Sequence, residues 1–247
     1  MKIIMKVSVF VLFVMLVITA CKKEKGGNPT IGLTAPVFNS KVSYSTLTDQ
    51  DGNVYKTVTI GTQTWTAENL RTTKYNDGTD IPNVIDDDKW RNLTTGAYCN
   101  LLNTDDHEII AIFGRFYNWY TVNTGKLAPK GWHVPTDAEW TKLTDYLGGL
   151  NIAAAKLKEI GTSHWSETNK EVTNDSGFTA LPGGNRDISV GVNDEGFGGG
   201  AVTGCWWSTT GCDSDLSWAW VIWDSDAIVR RISNYKHNGL AVRLVKD

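Results

Sequence analysis

The alternation of apolar and polar positions changes character several times along the chain. Val7 to Ala20 is an almost unbroken apolar run behind Lys2 and Lys6, shorter than the ~20 residues that span a bilayer. Lys22 to Thr30 (KKEKGGNPT) is polar, carries Gly-Gly and Pro, shows no apolar period and reads as a tether. Alternation then sets in. SYSTLT (43–48) and VYKTVTIG (54–61) flank Asp49-Gln50-Asp51-Gly52-Asn53, and Asp-Gly between alternating runs predicts a hairpin. The same acids invite a calcium-loop reading, but they lack the later glycine and closing glutamate of an EF-hand, so the hairpin stands. A loop-rich stretch follows to about Asn103, with Asn76-Asp77-Gly78 and Asp86-Asp87-Asp88 as turn material.

Ile109 to Val122 (IIAIFGRFYNWYTV) is apolar and aromatic, and its composition fits helix or strand alike. In Val134-Pro135-Thr136-Asp137-Ala138-Glu139-Trp140 the pattern is sharper: Thr136 and Glu139 make a capping box, and Pro135 holds Val134 extended before it. Trp140, Leu143 and Leu147 then share one helical face, and Gly148-Gly149 ends the helix. A second helix, IAAAKLKEI, opens at Asn151 and closes at Gly161. From Phe178 onward FTALPGG, GAVTGCWWSTT, SWAWVIWD, AIVRRIS and GLAVRLV predict short strands between turns. Trp218 to Trp223 lacks polar alternation, which predicts a strand covered on both faces. Beyond the tether neither an internal repeat nor a second domain boundary is visible.

Composition adds three constraints. With 41% hydrophobic and 11% aromatic residues over 247 positions, the chain is not a disordered protein. Its net charge of −3 supplies no basic excess for phosphates, so nucleic acid is not an expected partner. There are 11 Trp against 3 Met, and Met1, Met5 and Met15 all fall in the apolar leader. Ile18-Thr19-Ala20 directly before Cys21 looks like a bacterial lipoprotein signal, with residues 1–20 removed and Cys21 lipidated. Several acyl chains on Cys21 would anchor the protein stably in the envelope, at the outer membrane or cell surface. The expected organisation is signal peptide 1–20, lipidated cysteine and linker 21–42, and one domain over 43–247.

Six motifs, in order, carry a family resemblance: DGNVYKTVTIGTQTWTAENLRTTKYNDG (51–78), GRFYNWYTV (114–122), LAPKGWHVPTDAEW (127–140), GFTALPGGNR (177–186), CWWSTT (205–210) and AVRLVKD (241–247). Across about 200 positions the chain resembles the Fibrobacter succinogenes major paralogous domain of secreted and lipid-anchored proteins in Bacteroidetes and relatives. That domain is similar to the formylglycine-generating-enzyme group. The resemblance implies an α+β, C-type-lectin-like fold with a few helices, a twisted antiparallel sheet and long structured loops. Two positions depart from the family. Trp65-Thr66 stands for a usual tryptophan-methionine pair, and Val242-Arg243-Leu244 lacks the usual closing cysteine, which leaves Cys99 as a remnant.

The resemblance points to a non-catalytic binding or adhesion module for glycan or protein, presented by variable loops on a rigid scaffold. The candidate ligand residues are Trp206, Trp207, Trp218 and Trp223, with Asn193, Asp194, Asp213 and Asp215 in adjacent loops. Adjacent strand positions point to opposite faces, so one of Trp206 and Trp207 is expected to face inward. Trp65, Trp119, Trp132 and Trp140 belong to family motifs and are expected in the core. No catalytic residue and no metal ligand is assigned, and calcium is left open without a ligand set. Cys205 and Cys212 could pair as a disulfide in an exported protein. The alternative is a copper-dependent thiol oxidase like the formylglycine generator, whose cysteine pair has four intervening residues, against six between Cys205 and Cys212. His107, His133, His164 and His237 are scattered, with His133 read as structural, and Arg243 is expected to pair with a buried acid or backbone carbonyls.

Overall fold

The computed structural model describes residues 34–165, 171–187 and 196–247. Its elements in chain order begin with β1 (Ser45–Thr48), β2 (Val54–Ile60), β3 (Gln63–Thr66), α1 (Asp87–Arg91), β4 (Tyr98–Asn100) and α2 (His107–Phe113). There follow β5 (Arg115–Tyr117), α3 (Trp119–Val122), β6 (Trp132–His133), α4 (Asp137–Tyr146) and α5 (Leu150–Leu157). The last are β7 (Asn185–Arg186), β8 (Phe197–Gly198), β9 (Thr203–Gly211), β10 (Leu216–Trp223), β11 (Val229–Tyr235) and β12 (Val245–Lys246). Helices are interspersed among strands that pair antiparallel, an α+β architecture.

The expected hairpin is present, with Thr48 opposite Val54. Asp49 closes its turn: Oδ1 accepts from the Asp51 and Asn53 amides, and Oδ2 from Asn53 Nδ2 and the Tyr55 hydroxyl. Four donors thus occupy the carboxylate a calcium loop would have needed. The first sheet runs β1-β2-β3-β12-β6, so the last strand is inserted between early ones. Val245 lies opposite Trp65 on one side and His133 on the other. A second sheet runs β11-β10-β9.

The ambiguous run from Ile109 resolves into helix, strand and helix because polar residues punctuate it. The Asp106 side chain caps α2 and Asn118 caps α3. Gly114 breaks the run between them at φ 73°, where a Cβ would lie 2.6 Å from Asn69 Cβ. The capping box of α4 is formed as expected, with Thr136 Oγ1 accepting from the Glu139 amide and the Glu139 carboxylate accepting from the Thr136 amide.

Three expectations of secondary structure differ. Helix α5 stops at Leu157 rather than near Ile160, because Ala180 takes over the backbone: its amide donates to Leu157 O and its carbonyl accepts from the Glu159 amide. FTALPGG is not a strand, and only Ala180 and Gly184 in it make isolated bridges. GLAVRLV contributes a strand only at its end. Residues 34–42, assigned to the linker, are partly docked: Val37 N donates to Glu159 Oε1 (2.6 Å), and Asn39 Nδ2 donates to Asn174 O (3.0 Å).

The core forms two clusters on either side of β9 and β10. Trp206, Trp220 and Ile222 enter one, while Cys205, Trp207, Ala219 and Val221 enter the other. A strand with apolar residues on both faces has to be covered on both, and the middle of β10 is. The first cluster is built on rings: Trp140 stacks on Trp220 at 5.9 Å and packs tilted on Trp65 at 4.8 Å.

Candidate functional site

The tryptophans expected to meet ligand are largely committed elsewhere. Trp206 and Trp207 are 1% and 0% exposed. Trp206 Nε1 donates to Asn69 Oδ1, and Trp207 Nε1 donates to Tyr117 O. Both rings are inside because β9 separates two cores, so neither can meet a ligand, and the expectation that one of the pair faces outward is corrected. Trp218 and Trp223 reach the surface, but five positions apart on a regularly paired strand they point to opposite faces. Each is covered by an arginine held by an acid. Arg231 lies 3.4 Å from the Trp218 ring centroid and donates to Asp137, while Arg230 lies 4.1 Å from the Trp223 ring and pairs with Asp226. These four tryptophans therefore form no common site.

Asp213 accepts from the Asp215 and Leu216 amides, bonds that hold its carboxyl below the usual range and close the β9–β10 turn. Asp215 sits in that turn, its carboxylate accepting from Ser214. Asn193, Asp194 and Cys21 lie outside the described residues. The Cys205–Cys212 disulfide is not formed, and both thiols are free. Cys205 lies early in β9 and Cys212 just past its end, and an extended strand separates such positions by roughly 20 Å. A disulfide needs Cα atoms within ~7 Å.

The most exposed large apolar side chain among the described residues is Tyr146, at 66%, the final residue of α4. Trp140 and Leu143 of the same helix are buried, and Tyr146 falls beside their stripe rather than on it. Its ring rests on Gly61 in the β2–β3 turn. Gly61 has φ 62°, and a Cβ there would lie 2.9 Å from Tyr146 Cδ2, so only glycine admits the ring this close. Clefts open on both sides of the ring, sharing Ile60, Gly61 and Tyr146. One, of about 530 Å³, is lined by Lys41, Thr59, Lys156, Asp175 and Ser176. The other, of about 350 Å³, is lined by Thr62, Gln63 and Lys142. The sequence signal for this surface was slight: an aromatic residue one position before the buried Leu147, next to a double glycine.

A third cleft, of about 370 Å³, lies among Asp51, Asn53, Arg71, Thr73, His107 and Arg115. Its charges are largely engaged in the fold. Burial opposes ionisation of Asp51, yet hydrogen bonds from Thr73 and Thr72 and the charge of Lys74 hold its carboxyl below the usual range. Arg71 donates to Val54 O and lies over Tyr55, and Arg115 donates to Arg71 O.

The histidines differ in role. His133 bridges two carboxylates, with Nδ1 2.7 Å from Asp247 Oδ1 and Nε2 2.8 Å from Glu139 Oε1. His164 is buried with Nδ1 2.7 Å from Glu159 Oε2 and Nε2 3.0 Å from Thr34 O. The ring is thus held at both nitrogens. Sequence spacing had not singled out this pair. Arg243 is fully buried and donates to the carbonyls of Thr66, Phe178 and Thr179 and to Asn69 Oδ1, the carbonyl pairing expected of it. Among the described residues no three His, Cys, Asp or Glu side chains converge as a metal site would require.

Fold and surface together define an α+β domain with a stacked tryptophan core, whose exposed aromatic ring stands between two clefts. The family model described as Fibrobacter succinogenes major domain matches residues 58–246, from within β2 to the end of β12, and the chain belongs to this family. No curated protein and no solved structure matches the chain.

Proposed function

We propose that this protein is a non-catalytic binding module, held to the bacterial envelope by lipid on Cys21, that engages a glycan across Tyr146. The observation carrying this reading is the 66% exposed Tyr146 ring, set against Gly61 with a cleft bearing polar side chains on either side. An apolar ring face suits the C–H face of a sugar, and convergent polar groups beside it orient the hydroxyls. The long ordered connections on an α+β scaffold are consistent with a C-type-lectin-like fold and, through it, with the formylglycine-generating-enzyme group. A copper-dependent thiol oxidase would need two thiols on one ion. Cys205 and Cys212 stand at the two ends of β9, which favours the binding reading.

Two measurements test this. Cys21→Ser should move the protein from the membrane fraction to the soluble exported fraction, and continued membrane retention would refute the anchor. In a panel of glycans and envelope proteins, saturable glycan binding should weaken about tenfold in Tyr146→Ala, the scale of one well-packed aromatic contact. Binding confined to proteins, or indifferent to Tyr146, would overturn the glycan assignment.

A further inference from the structure

The two clefts beside Tyr146 share a charge bias. Lys41 and Lys156 line the larger one against a single acid, Asp175, and Lys142 lines the smaller one without an opposing acid. Lys156 Nζ donates to Leu147 O at 2.8 Å, which places its ammonium at the cleft next to the ring. Lys41 and Lys142 are exposed, and their side chains make no hydrogen bond or ion pair among the described residues. Asp145 precedes Tyr146 on α4 but does not line either cleft. The protein as a whole is acidic, at −3, so three ammonium groups around one exposed ring run against its general charge.

We infer that the Tyr146 surface selects acidic glycans, chains bearing carboxylate or sulfate groups, over neutral ones. This rests on the binding reading above and adds the ligand class. The ring takes the apolar face of one sugar, while the lysines on either side meet acidic groups on neighbouring units. Lysine is a point charge on a flexible stem, so it tolerates the variable positions of such groups along a chain, where arginine would demand a fixed fork. The attraction between exposed charges is screened over ~10 Å at 0.1 M salt, so the preference should be salt-sensitive.

The test uses the full chain in detergent with three probes of equal length: an oligogalacturonate, a neutral oligoglucan and an oligoglutamate. The oligogalacturonate should bind about tenfold tighter than the neutral chain at low salt, because two or three exposed charge contacts each add a few-fold. High salt should remove that margin. Lys41→Gln with Lys142→Gln should abolish the preference, so that this variant binds the oligogalacturonate no tighter than it binds the neutral chain, and Tyr146→Ala should weaken both sugars. Equal or tighter binding of the neutral chain, with Tyr146 still required, overturns the acidic preference and leaves the binding module standing. Oligoglutamate binding as tightly as the uronate, independent of Tyr146, overturns it in favour of an acidic protein partner. No binding of either sugar overturns both the preference and the glycan reading.

Discussion

Arg243 and Arg186 show what a fully buried cation requires in this domain. Burial lowers the Arg243 pKa to about 9, and four acceptors around its guanidinium offset the cost of desolvation. Arg186 is likewise buried, donating to Val84 O, Ile85 O and Asp87 and lying 4.5 Å from the Trp90 ring. Arg243→Ala would remove the donor from three buried carbonyls, with Asn69 Oδ1 still held by Trp206 Nε1, so it should cost ~3–5 kcal/mol in denaturant unfolding. A variant that kept its melting temperature but lost its ligand would overturn this structural role. His133 gives a pH signature. Burial lowers its pKa, but hydrogen bonds to Asp247 and Glu139 outweigh it and raise the value above 6.5. A raised folded-state pKa stabilises the protein fully below that ordinary value, and the contribution fades as pH rises through the folded one. For Glu139 burial raises the pKa, but bonds from Thr136 and His133 prevail and lower it below 4.5. Its contribution therefore appears above that value and is lost as pH falls through the lower folded one. The stability difference between the natural protein and His133→Gln should be largest in the window between these two shifted values and shrink toward alkaline pH. A difference flat with pH would show that the bridge is not titrating.

At the level of elements, caps and glycines divide segments whose composition does not. The run from Ile109 to Val122 reads alike as helix or strand, and Asp106, Gly114 and Asn118 cut it into α2, β5 and α3. Gly114→Ala should destabilise by about 2–3 kcal/mol, since φ 73° with ψ −156° is a glycine conformation and Asn69 and Leu70 leave no room for a Cβ. Calorimetry on the variant measures this directly, and an unchanged transition would mean the turn can relax. The capping box of α4 was legible because both partners lie within four residues. The end of α5 was not, because the group that displaces its last turn is Ala180, more than twenty residues on. The same limit applies to Tyr146: its helix was readable, while its exposure depends on how Gly61 meets α4.

Across the whole molecule, the placement of cysteines and tryptophans follows from how the layers pack. Burial raises the Cys99 and Cys205 thiols to about 12, while Cys212 is exposed. In the native protein a thiol reagent should therefore modify Cys212 and spare Cys99 and Cys205 until denaturant is added, as peptide mapping would report. Reductant should leave the melting temperature unchanged, and a drop would reveal a disulfide this fold does not contain. By itself, the sequence determined the hairpin at Asp49, the capped α4, the strand character of β9 to β11 and the family. Each of these depends on neighbouring residues or on an ordered series of motifs. Only the tertiary structure decided which aromatic rings are covered. Period-two alternation says that Trp206 and Trp207 point to opposite faces, but whether both faces are buried depends on layers contributed by residues far away in the chain. Trp206 and Trp207 became core for that reason, and a tyrosine at the end of a helix became the most exposed large ring among the described residues.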